Sequence, residues 1–220
     1  MPVKRSAVLT TVSLATKMEI LKHVKVQPDR IRVIYNPILN LFSPRSKDFN
    51  KKEPIILQIG TKENKNIPRL AQALRGIPCK LHIVGKLEPA IIQVLKECTI
   101  DFIVFENLPI NQLIEQYVAA DIISFVSTLE GFGLPIVEAN AIGRVVVTSN
   151  LSSMPEIAGD SAHLVNPFDV DSIRSGILKV IEEDEYREKL IRNGFTNVKR
   201  FELEAISKQY ADLYRELSIS

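Results

Sequence analysis

IISFVSTLEGFGLPIVEANAI, residues 122–142, is the stretch that decides the fold. A run of apolar, strand-like residues, Ile122 to Val126, leads into a turn that carries Gly131 and Gly133. A helix-like pattern leads out over 134–142, and Pro135 falls in its first turn, where a missing N–H costs nothing. The glycines let backbone turn tightly and come close to a ligand. The free N–H groups of the helix start, with its dipole, attract an anion. Glu130 sits at the strand tip and Glu138 on the first turns of the helix, with seven residues between them. A carboxylate in the position of Glu138 is a double acceptor suited to a vicinal diol such as a ribose, and Glu130 could accept from sugar hydroxyls or stabilise positive charge. The same residues also fit an ordinary strand–turn–helix with Glu138 as a surface charge complementing the dipole.

Outward from this unit the pattern repeats. Apolar runs at 55–59, 80–84, 102–105, 122–126, 145–147 and 162–165 alternate with amphipathic stretches at 67–75, 87–97, 110–120, 134–142 and 170–182. Such alternation predicts an α/β fold, a Rossmann-like parallel sheet of about six strands with helices on both faces. Right-handed crossovers place the loops after the strands along one edge, where ligands bind in open sheets. Gly60, Gly85, Asn107, Glu130 and Thr148 are all expected there. Before this region lie a short strand at 8–12, a helix at 14–24 with Ser13 as N-cap, a strand at 31–35, and a polar, proline-punctuated linker at 40–54. Helices at 184–193 and 202–217 close the chain. The last carries Leu203, Ile206, Tyr210, Leu213, Tyr214 and Leu217 on one face, a packing stripe.

Composition narrows the function. A formal charge of +2 over 220 residues gives no electrostatic reason to expect nucleic acid. No apolar run approaches the roughly 20 residues of a spanning helix, and no signal peptide is visible. Cys79 and Cys98 have no metal-like spacing and read as buried thiols of a reducing compartment. The loop GTKENKN, 60–66, follows a strand and precedes a helix, but it lacks P-loop spacing, and no GxGxxG occurs. Its Lys62 and Lys65 suit a diphosphate, although for this loop taken alone a solvated basic turn is the favoured reading. Asp169-Val170-Asp171 spells a DxD, but an N-cap at Asp169 with Asp171 in the first turn explains both acids.

Together these stretches resemble the C-terminal half of retaining GT-B glycosyltransferases of family four, the glycosyl transferases group 1. The matching pieces are TVSLATKMEIL at 11–21, IRVIYNPI at 31–38, ILQIGTKENKNIPRLAQAL at 56–74, LHIVGK at 81–86, and the E-x7-E block with its Ser-Met-Pro-Glu sequel at 130–173. The resemblance implies roles residue by residue. Glu138 holds the donor ribose, and Glu130 works near the donor sugar. Gly60 belongs to the glycine loop, and Gly131, Phe132, Gly133 and Leu134 form the backbone cradle of sugar and diphosphate. Lys65 neutralises the diphosphate and aids its departure, and Asn107 and Leu108 lie in the region that contacts the base. It implies a nucleoside diphosphate sugar as donor substrate, no separate cofactor, no metal, and transfer with retention, as in cytoplasmic polysaccharide biosynthesis, with peripheral membrane association also open. Departures are Thr61 where the family often has arginine, Val145 where it has proline, and Asn36-Pro37 where it has Asn-Gly.

The resemblance divides the chain into a remnant of an N-terminal domain and crossing segment, 1–50, and a donor-binding domain, 51–220. A full enzyme carries an N-terminal acceptor domain of similar size, so the expected partner is such a domain in cis or in trans. The strand at 8–12 would leave an open edge, for which a dimer contact, rearrangement or disorder is expected. The alternatives are a non-catalytic module that binds a sugar nucleotide or a partner protein, and a GT-B-like epimerase, which the E-x7-E block disfavours.

Overall fold

The computed structural model describes residues 6–219. Six strands form the main sheet: β3 (Ile55–Ile59), β4 (Lys80–Val84), β5 (Asp101–Phe105), β6 (Ile122–Phe125), β7 (Val145–Ser149) and β8 (Ala162–Val165). Their order is β5-β4-β3-β6-β7-β8 and every pair is parallel. The chain winds outward from β3 to one edge, then returns to β6 beside β3 and winds to the other edge. The reversal lies between β3 and β6, paired from Ile56–Ile122 to Gln58–Ser124. A crevice opens beyond the strand ends at such a point, because the flanking loops diverge to opposite faces.

Burial explains the unbroken apolar runs. All five residues of β7 are buried, which requires cover on both faces. On one face Ile56, Ile122, Val145 and Val147 pack with α2 (Ile67–Leu74) and α7 (Val170–Glu182). On the other, Leu57, Ile123, Phe125 and Val146 pack with α4 (Ile110–Ala119), α5 (Leu134–Ile142) and α6 (Met154–Ala158). Each fully buried side chain of this kind contributes about 1.5–3 kcal/mol. α3 (Pro89–Glu97) completes the first face, and α8 (Asp184–Asn197) packs beside α5 and β7.

Several expectations shift. Thr148 lies inside β7, donating to Phe125 O at 2.8 Å, and does not follow a strand end. α8 runs four residues beyond the expected 193, and α6 is a five-residue helix too short to show a period. The 40–54 stretch is irregular, as its prolines predict, but it is a strap fixed to the domain. Phe42 is buried and Arg45 N–H donates to Ile142 O at 3.1 Å. The buried Asp121 carboxylate accepts from Lys47 Nζ and from the N–H groups of Asn50 and Ile55, at 3.0 and 2.8 Å.

The first residues form a unit beside the sheet. β1 (Leu9–Thr11) pairs in parallel with β2 (Ile31–Val33), and α1 (Leu14–His23) links them. β1 thus gains one partner without entering the main sheet. The closing helix α9 (Leu203–Ile219) packs Ile206 and Leu213 against Ile34, with Val8 and Tyr35 nearby. Of its expected stripe, Leu203 and Tyr214 are exposed instead.

Candidate functional site

The reversal brings two loops together. The loop after β3 closes with a 3-10 turn, Glu63–Lys65, and Asn66 in left-handed conformation at φ 60°. Asn66 is buried and its amide donates to Val126 O at 3.0 Å and Pro167 O at 2.7 Å, which fixes the turn over the end of β6. Thr128 N–H donates to Asn64 O at 2.8 Å, and Asn64 Nδ2 donates to Leu129 O at 2.8 Å. The loops are therefore laced, and Lys65 reaches Glu130. Lys65 Nζ lies 2.6 Å from Glu130 Oε1 and 4.6 Å from the centre of the Phe125 ring. Asn64 Nδ2 adds a second donor to the same oxygen at 3.1 Å. Gly60, at φ +84°, is required here: an added Cβ would stand 2.9 Å from Lys65 Cε. Lys62, by contrast, is exposed to solvent.

The turn from Glu130 to Leu134 is held from one side. Ser152 Oγ donates to Glu130 O at 2.6 Å and Ser153 Oγ to Phe132 O at 2.6 Å. Gly131 O lies 2.7 Å from Ser13 Oγ and 3.1 Å from Thr16 Oγ1, both on the first turn of α1. The Phe132 ring is buried against Tyr35 and Phe201, with centroids 6.0 and 5.7 Å away. In a trans peptide the following N–H points opposite its carbonyl. The N–H groups of Gly131, Phe132, Gly133 and Leu134 accordingly have no partner among the described residues. Only Gly133 needs to be glycine for its conformation, at φ +120°; at Gly131 an added Cβ would meet nothing nearer than Thr16 Oγ1 at 3.9 Å.

Glu138 falls on the second turn of α5 and is half-buried. Its Oε2 accepts from the phenol of Tyr117, a fully buried side chain of α4. Oε1 has no partner among the described residues and is not sealed from solvent. Burial raises the Glu138 pKa, and the Tyr117 hydrogen bond partly opposes the rise. Burial first, and then the Glu138 charge, push the Tyr117 phenol well above its ordinary range.

The structure thus gathers Gly60, Lys65 and the 130–134 turn at the switch point, with Glu138 on the helix that leaves it. Asn107, at φ 53°, and Leu108 follow edge strand β5, and no hydrogen bond links them to the others. Sequence reasoning did not single out Asn64, Tyr117, Thr16 or Ser152 as site residues, because their partners are remote in sequence. Asp169 is the N-cap of α7, its Oδ1 accepting from Asp171 and Ser172 N–H at 2.9 and 3.2 Å. Among the described residues no cluster of three or more His, Cys, Asp or Glu could hold a metal, and no helix is long and apolar enough to cross a membrane.

Comparison with known proteins identifies the family. The profile of the family described as Glycosyl transferases group 1 matches residues 41–197. The chain belongs to this family. Among its glycosyltransferase relatives, O-antigen chain mannosyltransferase B of Escherichia coli is 33% identical, over 73% of this chain and 45% of the relative. The MMP alpha-(1->4)-mannosyltransferase of Mycolicibacterium hassiacum is 28% identical, over 94% and 54%. The chain spans about half the length of these curated relatives. The structure of sucrose-phosphate synthase from Thermosynechococcus elongatus superposes with a TM-score of 0.85 at 25% identity, over 96% of this chain and 58% of that one. Anabaena HepE, solved in complex with UDP and glucose, superposes at 0.77 and 19% identity, over 96% and 64%, a likeness of fold. The fold is thus one shared with GT-B glycosyltransferases.

Proposed function

We propose that this group 1 chain is the donor domain of a retaining, metal-independent glycosyltransferase and binds a nucleoside diphosphate sugar at the β3–β6 switch point. The observation that supports this most is a set of groups on the switch-point loops and the helix that leaves them: the Lys65 ammonium, four amides from Gly131 to Leu134 unpartnered among the described residues, and the Glu138 carboxylate with Oε1 free. A diphosphate needs cations and N–H donors; a ribose diol needs an acceptor. In this reading Glu138 Oε1 accepts from the ribose, the amides hold the distal phosphate and sugar, and Asn107 and Leu108 flank the base. Glu130 faces the sugar. The acceptor hydroxyl oxygen forms the new bond to the anomeric carbon while the bond to the diphosphate oxygen breaks, the hydroxyl proton passes to that departing phosphate oxygen, and Lys65 neutralises the remaining charge. The acceptor binds on a second domain, in cis or in trans. Relatives named as mannosyltransferases make a mannosyl donor the first to test.

Calorimetric titration with UDP, GDP and ADP and their sugars tests the reading. Binding of one of them, weakened more by Glu138→Ala than by Glu130→Ala, is expected. No binding at millimolar concentration overturns it.

A further inference from the structure

The donor cradle is braced from outside the main domain. α1 is tied at its start to α6: Glu156 Oε1 accepts from Leu14 N–H at 2.8 Å and Oε2 from Ala15 N–H at 3.2 Å. These are orphan donors of a helix N-terminus, where a carboxylate is strongly favoured. Ser13 caps the same helix, its Oγ accepting from Thr16 N–H at 3.0 Å. The hydroxyl proton of Ser13 is then shared between Gly131 O at 2.7 Å and Thr16 Oγ1 at 2.9 Å, and Thr16 Oγ1 itself donates to Gly131 O at 3.1 Å. The Ser13 side chain is buried, so its end of the bond to the exposed Gly131 is partly shielded from competing water.

The rest of the cradle shows why this matters. Carbonyls 130 and 132 are held by Ser152 and Ser153, from the turn that leads into α6, the helix of Glu156. Among the described residues, carbonyl 131, between them, is held only by Ser13 and Thr16, at the start of α1. Each fixed carbonyl sets the direction of the next N–H. Gly131 has no side chain to anchor it, so without α1 the Phe132 amide loses its orientation. We infer that Ser13 and Thr16 are positioning residues that aim the Phe132 amide at the distal phosphate and sugar of the donor, with Glu156 seating α1 so that they can. This rests on the donor-domain reading.

The test compares Ser13→Ala/Thr16→Val with wild type in the full chain, with Thr16→Ser as the hydroxyl-retaining control. Circular dichroism checks folding; Thr16→Val alone, which preserves shape, substitutes if the pair unfolds. Backbone order parameters at Gly131, Phe132 and Gly133 in the nucleotide-free protein should fall from about 0.85 to below about 0.6 in the variant. Affinity for the UDP, GDP or ADP that binds wild type should fall about tenfold, the loss of one or two hydrogen bonds, while the matching monophosphate binds as before. Thr16→Ser should behave as wild type. Unchanged order parameters, or equal losses for monophosphate and diphosphate, overturn the inference. A wild-type chain that binds no diphosphate overturns the donor reading, and the order parameters still decide whether Ser13 and Thr16 hold the loop.

Discussion

Replacing Glu130 by glutamine should tighten the binding of a nucleoside diphosphate. In the free protein Lys65 is engaged by Glu130 at 2.6 Å, with side-chain exposures of 16% and 15%. A diphosphate can use Lys65 only by competing with that carboxylate. Exposed pairs of this type are worth about 0–1 kcal/mol, and breaking a buried pair costs about 3–5 kcal/mol. A pair this shielded belongs between, at about 1–2 kcal/mol. Glutamine keeps the acceptor oxygen but removes the charge, so most of that energy becomes available to the ligand. Affinity for the diphosphate should rise about three- to tenfold. Lys65→Met should instead weaken binding by about ten- to a hundredfold, since a charge-assisted bond to phosphate is lost. The double variant should match Lys65→Met, because Glu130 acts on the diphosphate through Lys65. Titration calorimetry of the variants reads all three values. If Glu130→Gln weakened binding tenfold, the carboxylate would be a direct ligand of the nucleotide, and the reasoning would fail.

Other outcomes follow from the same geometry. Binding should weaken as pH falls and Glu138 is protonated; because burial raises its pKa, the loss should begin above the ordinary glutamate range. Tyr117→Phe removes the donor that favours the carboxylate, so the midpoint of the pH profile should move up; a downward move in calorimetry at matched pH values would count against the pairing. Gly133→Ala should cost about 1–3 kcal/mol in urea unfolding, from strain at positive φ, whereas Gly131→Ala should stay within about 0.5 kcal/mol. Asp121→Ala should destabilise by about 2–4 kcal/mol, since it leaves Lys47 and two N–H groups of the strap unsatisfied; urea midpoints check this too.

Much of this was legible because the parallel sheet has a local code. Continuous apolar runs such as Val145–Val147 and glycine-bearing turns before Pro135 reveal strand, turn and helix within a short window. The E-x7-E spacing places both glutamates for the same reason. What stayed hidden depends on contacts between distant segments. Tyr117 and Glu138 meet because α4 and α5 pack on one face of the sheet, and neither residue signals the other. Ser13 reads correctly as an N-cap, but its second role at Gly131 spans 118 positions. The 40–54 stretch has the composition of a linker, and the buried carboxylate of Asp121, the buried ring of Phe42 and the Arg45–Ile142 backbone bond make it a strap. Gly131 reads as part of a tight turn, yet its backbone carries no positive φ.

The central claim is that Lys65, the amides of 131–134 and Glu138 together bind one nucleoside diphosphate. Amide chemical shifts of the labelled chain, followed through a titration with UDP, GDP and ADP, address it most directly. The account predicts saturable shifts for one nucleotide at Gly60, Lys65, Gly131, Phe132, Gly133, Leu134 and Glu138, all with a single affinity. Saturable shifts confined to other surfaces, or none with any of the three at millimolar concentration, would contradict it.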